Sequence, residues 1–102
     1  MADVEHGQRY RIVNAKSGTV VDLSAKDGTS VAGWDFHGQS NQIWEASQAF
    51  GFWNFKNVGH GKYLALENED YRNGLKVIGS NSRYNWHIWP DQRDISVWRL
   101  TP

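Results

Sequence analysis

The chain has 102 residues, room for one small domain, and its 11 basic side chains balance its 11 acidic ones, so nothing favours a nucleic-acid backbone or an anionic membrane surface as partner. Cysteine is absent, which excludes disulfides and thiolate metal sites, and no apolar stretch approaches the length of a membrane span. Six Trp, four Tyr, four Phe and ten Gly suit short strands and tight turns better than helices.

Short alternating or β-branched runs follow one another along the chain, at 8–13, 18–23, 30–34, 42–46, 51–57, 62–67, 75–79, 86–89 and 95–101. Turn pairs separate them: Ser17-Gly18, Asp27-Gly28, His37-Gly38, His60-Gly61 and Asn73-Gly74. Nine such strands predict a small all-β barrel or sandwich. The opening residues, MADVEHGQRY, contain no apolar leader, so the expected compartment is cytoplasmic, with release by a route that needs no signal sequence also open.

The chain also repeats itself. YRIVNAKSGTVVDL, beginning at Tyr10, lies over WNFKNVGHGKYLAL, beginning at Trp53, so that Tyr10 meets Trp53, Ile12 meets Phe55, Asn14 meets Asn57 and Gly18 meets Gly61. DGTSVAGW (from Asp27) lies over NGLKVIGS (from Asn73), and NQIW (from Asn41) over WHIW (from Trp86). A further copy starts at VWRLTP, which places Trp98 over Trp53 as the first strand of a third unit. The period is 43 residues between Tyr10 and Trp53 and 45 between Trp53 and Trp98, with four strands per unit. The units run 8–47, 48–90 and, incompletely, 91–102.

Four-stranded units of this period, with an S-G turn, a D-L strand and a closing Q-x-W, resemble the ricin-B-type β-trefoil lectins. SGTVVDLSAKDGTSVAGW and NQIW are most similar to the mushroom members. The resemblance implies an all-β, ricin-B-like β-trefoil in one domain, incomplete because two full repeats and one strand are present. Three full units need roughly 130 residues. The open sides of two incomplete barrels are therefore expected to cover each other in a two-fold homodimer.

Comparison of the two full repeats picks out a possible site. Trp44 has Trp89 as its counterpart, and a Trp kept in both units reads as core. Trp34 meets Ser80, Asp22 meets Ala65 and Asn41 meets Trp86, so a polar and aromatic set is present once on a duplicated scaffold. A core layer would not accept Ser for Trp, which puts Trp34 outside the core. The chemistry suits a sugar. A carboxylate accepts hydrogen bonds from two neighbouring hydroxyls, an amide both donates and accepts, and an indole plane packs on the C–H face of a pyranose. The resemblance assigns these roles to Asp22, Asn41 and Trp34, for terminal galactose or N-acetylgalactosamine. Gln42 is expected to hold the Asp22 carboxylate in orientation, and His37, or Asp35, to supply an extra contact. Each residue singly also has a plain reading: Asp22 as a turn cap, Asn41 as an Asx-turn residue, Trp34 as a lone surface aromatic.

No catalytic constellation is visible, so an enzyme is not expected. The histidines His6, His37, His60 and His87 lack ligand spacing, and Glu67, Glu69 and Asp70 read as a solvated loop rather than a calcium site. Neither cofactor nor metal is expected. The competing function is a protein–protein module, such as a trefoil protease inhibitor or an accessory subunit of an enzyme, because one fold hosts both.

Overall fold

A computed structural model describes residues 4–14, 16–69, 73–86 and 98–101. Eight strands are formed: β1 (Arg9–Asn14), β2 (Val20–Leu23), β3 (Val31–Trp34), β4 (Trp44–Ala49), β5 (Phe52–Asn57), β6 (Tyr63–Leu66), β7 (Val77–Ser80) and β8 (Trp98–Thr101). Single 3-10 turns occupy Ser40–Gln42 and Glu67–Glu69. The strands pair in the order β3-β2-β1-β4-β5-β6-β7, all antiparallel, with β8 on the remaining flank of β1. Among the described residues no helix is long and apolar enough to cross a membrane.

Alternation sets the core. Tyr10 and Ile12 of β1, Trp44 and Ala46 of β4, and Phe55 of β5 point inward, and they meet Val21 and Leu23 from β2. Trp53, Leu64 and Trp86 pack on this cluster from outside. Trp44 is fully buried, and its indole N–H donates to the Val21 carbonyl at 3.1 Å, which satisfies the one polar atom it takes out of water.

The duplication is visible in the registers. Asp22 stands opposite Ala32 and Val20 opposite Trp34; Ala65 stands opposite Ile78 and Tyr63 opposite Ser80. Ala65 and Ser80 are therefore the structural counterparts of Asp22 and Trp34. The closing strands correct the sequence alignment. Tyr10 pairs with Trp44, and Trp53 bridges Trp86. The Trp86 indole N–H donates to Leu64 as that of Trp44 donates to Val21. Trp86, not Trp89, thus stands where Trp44 stands, which sets Arg83 against Asn41 and Tyr84 against Gln42. Trp89 lies outside the described residues.

The last strand is also reassigned. Asn14 faces Trp98 and Ile12 faces Leu100, as Asn57 faces Trp44 and Phe55 faces Ala46. Trp98 is the counterpart of Trp44, so β8 is the closing strand of a third unit rather than its opening one. β1 is accordingly covered on both flanks. The sequence alignment missed this because a Trp occurs in opening and closing strands alike; only strand pairing tells them apart.

One adjustment concerns the segment before β4. Gln42 was expected inside the strand; it ends the 3-10 turn, and β4 starts at Trp44 and runs on to Ala49. Gln42 and Trp44 nevertheless both point inward, each fully buried. The hairpin from β4 to β5 closes through Phe50 and Gly51, both at positive φ (55° and 79°), the two-residue turn whose twist matches that of the strands.

Candidate functional site

Asp22 projects from β2 and is held from below. Gln42 Nε2 donates to its Oδ2 at 2.9 Å, and Asn41 Nδ2 donates to its Oδ1 at 3.1 Å. The 3-10 turn at Ser40–Gln42 makes this possible, because it turns two consecutive side chains towards the same carboxylate. Gln42 is saturated. Its Nε2 also donates to the Asp35 carbonyl at 2.9 Å, and its Oε1 accepts from the His37 backbone N–H at 2.9 Å. One buried amide therefore ties the loop after β3 to the carboxylate on β2.

Asn41 spends its second amide hydrogen on the Leu23 carbonyl at 3.1 Å, which leaves its side-chain oxygen with no partner among the described residues. Its backbone is fixed from the second repeat. The Asn41 carbonyl accepts from Asn57 Nδ2 at 2.9 Å, and Gly59 N–H donates to the Ser40 carbonyl at 3.1 Å. A Cβ on Gly59 would lie 2.8 Å from Ser40 Oγ and 3.0 Å from the Asn41 nitrogen, so only glycine admits this approach. Asn57 and Gly59 are supports that sequence reasoning missed. Asn57 was matched to Asn14 as repeat scaffold, and in both the side-chain oxygen accepts from the next turn's backbone N–H groups.

The loop places the remaining residues. Trp34, at the end of β3, is 62% exposed, against 0% for Trp44. His37 Nδ1 accepts from the Gln39 N–H at 3.0 Å, so the neutral ring carries its proton on Nε2, which lies 3.7 Å from Asp22 Oδ2. Arg11 lays its guanidinium over the Phe36 ring at 4.4 Å and pins the loop to β1. No contact between Asp35 and the cleft is seen beyond its carbonyl's bond to Gln42.

Asp22, Trp34, His37 and Asn41 share one open cleft of about 450 Å³. Gln42 does not line it and acts through Asp22. The chemistry of the cleft floor is one-sided. A carboxylate offers roughly four lone-pair sites, of which Asp22 uses two on its own chain, and the Asn41 oxygen adds another acceptor. The ligand that fits supplies several hydroxyl donors at close spacing and an apolar face for the indole. Among the described residues no group of three or more His, Asp or Glu side chains is placed to hold a metal ion.

Residues 2–80 match the protein family described as ricin-type beta-trefoil lectin domain-like. In structure the chain is similar to the Macrolepiota procera ricin B-like lectin solved in complex with lactose, with 33% identity and a TM-score of 0.85 over 98% of this chain and 71% of that one. It is similar to the Rhizoctonia solani agglutinin at 24% identity and a TM-score of 0.78, with the same coverage of 98% and 71%. The Polyporus squamosus lectin bound to a sialylated galactose epitope matches at 26% identity and a TM-score of 0.55, over 96% of this chain and 33% of that one. No curated protein sequence matches the chain significantly.

Proposed function

The chain belongs to the ricin-type β-trefoil lectin-like family, and from that premise we propose that it is a carbohydrate-binding lectin whose one described site holds a terminal galactose or N-acetylgalactosamine over Asp22. The observation that carries this reading is the Asp22 carboxylate, braced by Gln42 and Asn41 and flanked by the exposed Trp34 indole. Neighbouring sugar hydroxyls donate to the two open lone-pair sites of Asp22 and to the Asn41 oxygen. The ring's C–H face packs on Trp34, and His37 Nε2–H is placed to donate to a further hydroxyl. The similarity to a lectin solved with lactose supports the galactose assignment.

Binding fits the constellation, since both oxygens of the Asp22 carboxylate face N–H donors of their own chain and present their remaining lone pairs to the cleft as acceptors. The protease-inhibitor alternative draws no support from the loop at 35–39. That loop is tied back by Gln42 and Arg11 rather than presented as a free, projecting segment.

Calorimetric titration with lactose tests the reading. The wild-type chain binds weakly, in the micromolar to millimolar range usual for a shallow site, and Asp22→Ala and Trp34→Ala each abolish binding with little loss of melting temperature. Unchanged affinity in both variants sinks the assignment.

A further inference from the structure

The cleft is longer than the sugar site, and its far end has the opposite character. Alternate residues of the β2–β3 hairpin form its floor: Trp34, then Asp22 with Ala32, then Ser24 with Ser30. Lys26 borders the cleft beyond the two serines, in the turn that joins the strands. Two residues of strand separate Asp22 from Ser24, about 7 Å. A glycan seated on Asp22 and longer than one ring has this floor, with Lys26 at its border, to extend along.

Lys26 has no ion-pair partner among the described residues. The adjacent carboxylate, Asp27, is turned away into its own loop. It accepts from the Ser30 hydroxyl and from the Ser30 and Thr29 N–H groups at 2.8 Å each, while its own backbone N–H donates to Ser24 Oγ at 3.4 Å. The bonds to the carboxylate, the Ser30 hydroxyl foremost, hold its pKa at about 2. They engage both oxygens of the carboxylate within the turn, and no ion pair joins Asp27 to Lys26 among the described residues.

We propose that Lys26 forms an anion subsite of the cleft, which selects glycans whose galactose, seated over Asp22, carries a sulfate or is linked to a carboxylate-bearing sugar. This rests on the sugar site proposed above. An anion is repelled from Asp22 and attracted to Lys26, so the two ends of the cleft fix the direction in which such a glycan lies.

The test is titration of the full chain with lactose, sulfated lactose and sialylated lactose, at low and high ionic strength, in wild type and Lys26→Met. The expected result is that at least one acidic form binds wild type about threefold to tenfold more tightly than lactose at low salt. That gain disappears in Lys26→Met and at high salt, while lactose itself binds both proteins alike. Which acidic form gains identifies the anion as sulfate or carboxylate. If lactose binds but neither acidic form binds more tightly, or if the gain survives in Lys26→Met, the anion subsite is overturned and the sugar site stands. If none of the three binds wild type, both are overturned.

Discussion

Gln42 and Asp22 both belong to the proposed site, yet they fail differently when removed. Asp22 is partly exposed, and Asp22→Ala removes ligand contacts and two bonds from Gln42 and Asn41 but leaves Asn41 Nδ2 bonded to the Leu23 carbonyl and Gln42 Nε2 to the Asp35 carbonyl, so its cost in stability is the smaller. Gln42 is fully buried with both ends of its amide engaged. Gln42→Ala strands the His37 N–H, the Asp35 carbonyl and half the support of Asp22. An unsatisfied buried group costs about 1–3 kcal/mol, so this variant loses several degrees of melting temperature together with lactose affinity. A thermal melt and a titration on the same preparation separate the two behaviours. A Gln42→Ala protein that melts like wild type would show the amide to be dispensable.

At the level of single elements, two turns carry opposite signatures. The β4–β5 turn sets Phe50 at a φ of 55° and leaves it 99% exposed. A bulky side chain gains nothing there and strains a conformation that Asn adopts easily. Phe50→Asn therefore stabilises the protein, by about 1 kcal/mol, and raises its melting temperature by roughly 4–8 °C. The turn after β2 is instead well built, because the Asp27 carboxylate accepts from the Thr29 and Ser30 N–H groups and from the Ser30 hydroxyl within it. Its folded pKa, about 2, lies below the ordinary value of 3.8. The stabilising effect is therefore complete above pH 4 and is lost as pH falls from there towards 2. Asp27→Asn flattens that part of the stability curve in acid titrations followed by tryptophan fluorescence.

For the whole molecule, the barrel draws on three units with one chain. β1 and β5 are opening strands, β4, the Trp86 bridge and β8 belong to closing segments, and every pairing is antiparallel. Trp44 sits where these meet. Trp44→Ala costs about 3–5 kcal/mol, close to the entire stability of a small domain, and the purified variant should melt far below wild type. The outer edge of β8 faces no strand among the described residues. An unpaired edge is prone to association, and we propose that it pairs in a two-fold homodimer. Sedimentation at micromolar concentration distinguishes a dimer from a well-folded monomer, and the monomer would count against the shared edge.

The sequence by itself determined the all-β class, the internal repeat and the contrast that picks out Asp22 and Trp34; for Asn41 it set the wrong counterpart, Trp86, where the strand registers set Arg83. The class, the repeat and that contrast follow from residue periodicity and from comparing like positions, which needs no coordinates. It also separated Trp34 from Trp44, because a layer shared by two repeats cannot exchange Trp for Ser. Tertiary structure alone decided which Trp closes the second repeat and which role β8 plays, since hydrogen-bond register, not local composition, distinguishes one aromatic strand from another. It alone revealed Asn57 and Gly59 as supports of Asn41. Those contacts join the two repeats, through a glycine whose value lies in the missing Cβ, and no pattern within either repeat encodes that approach.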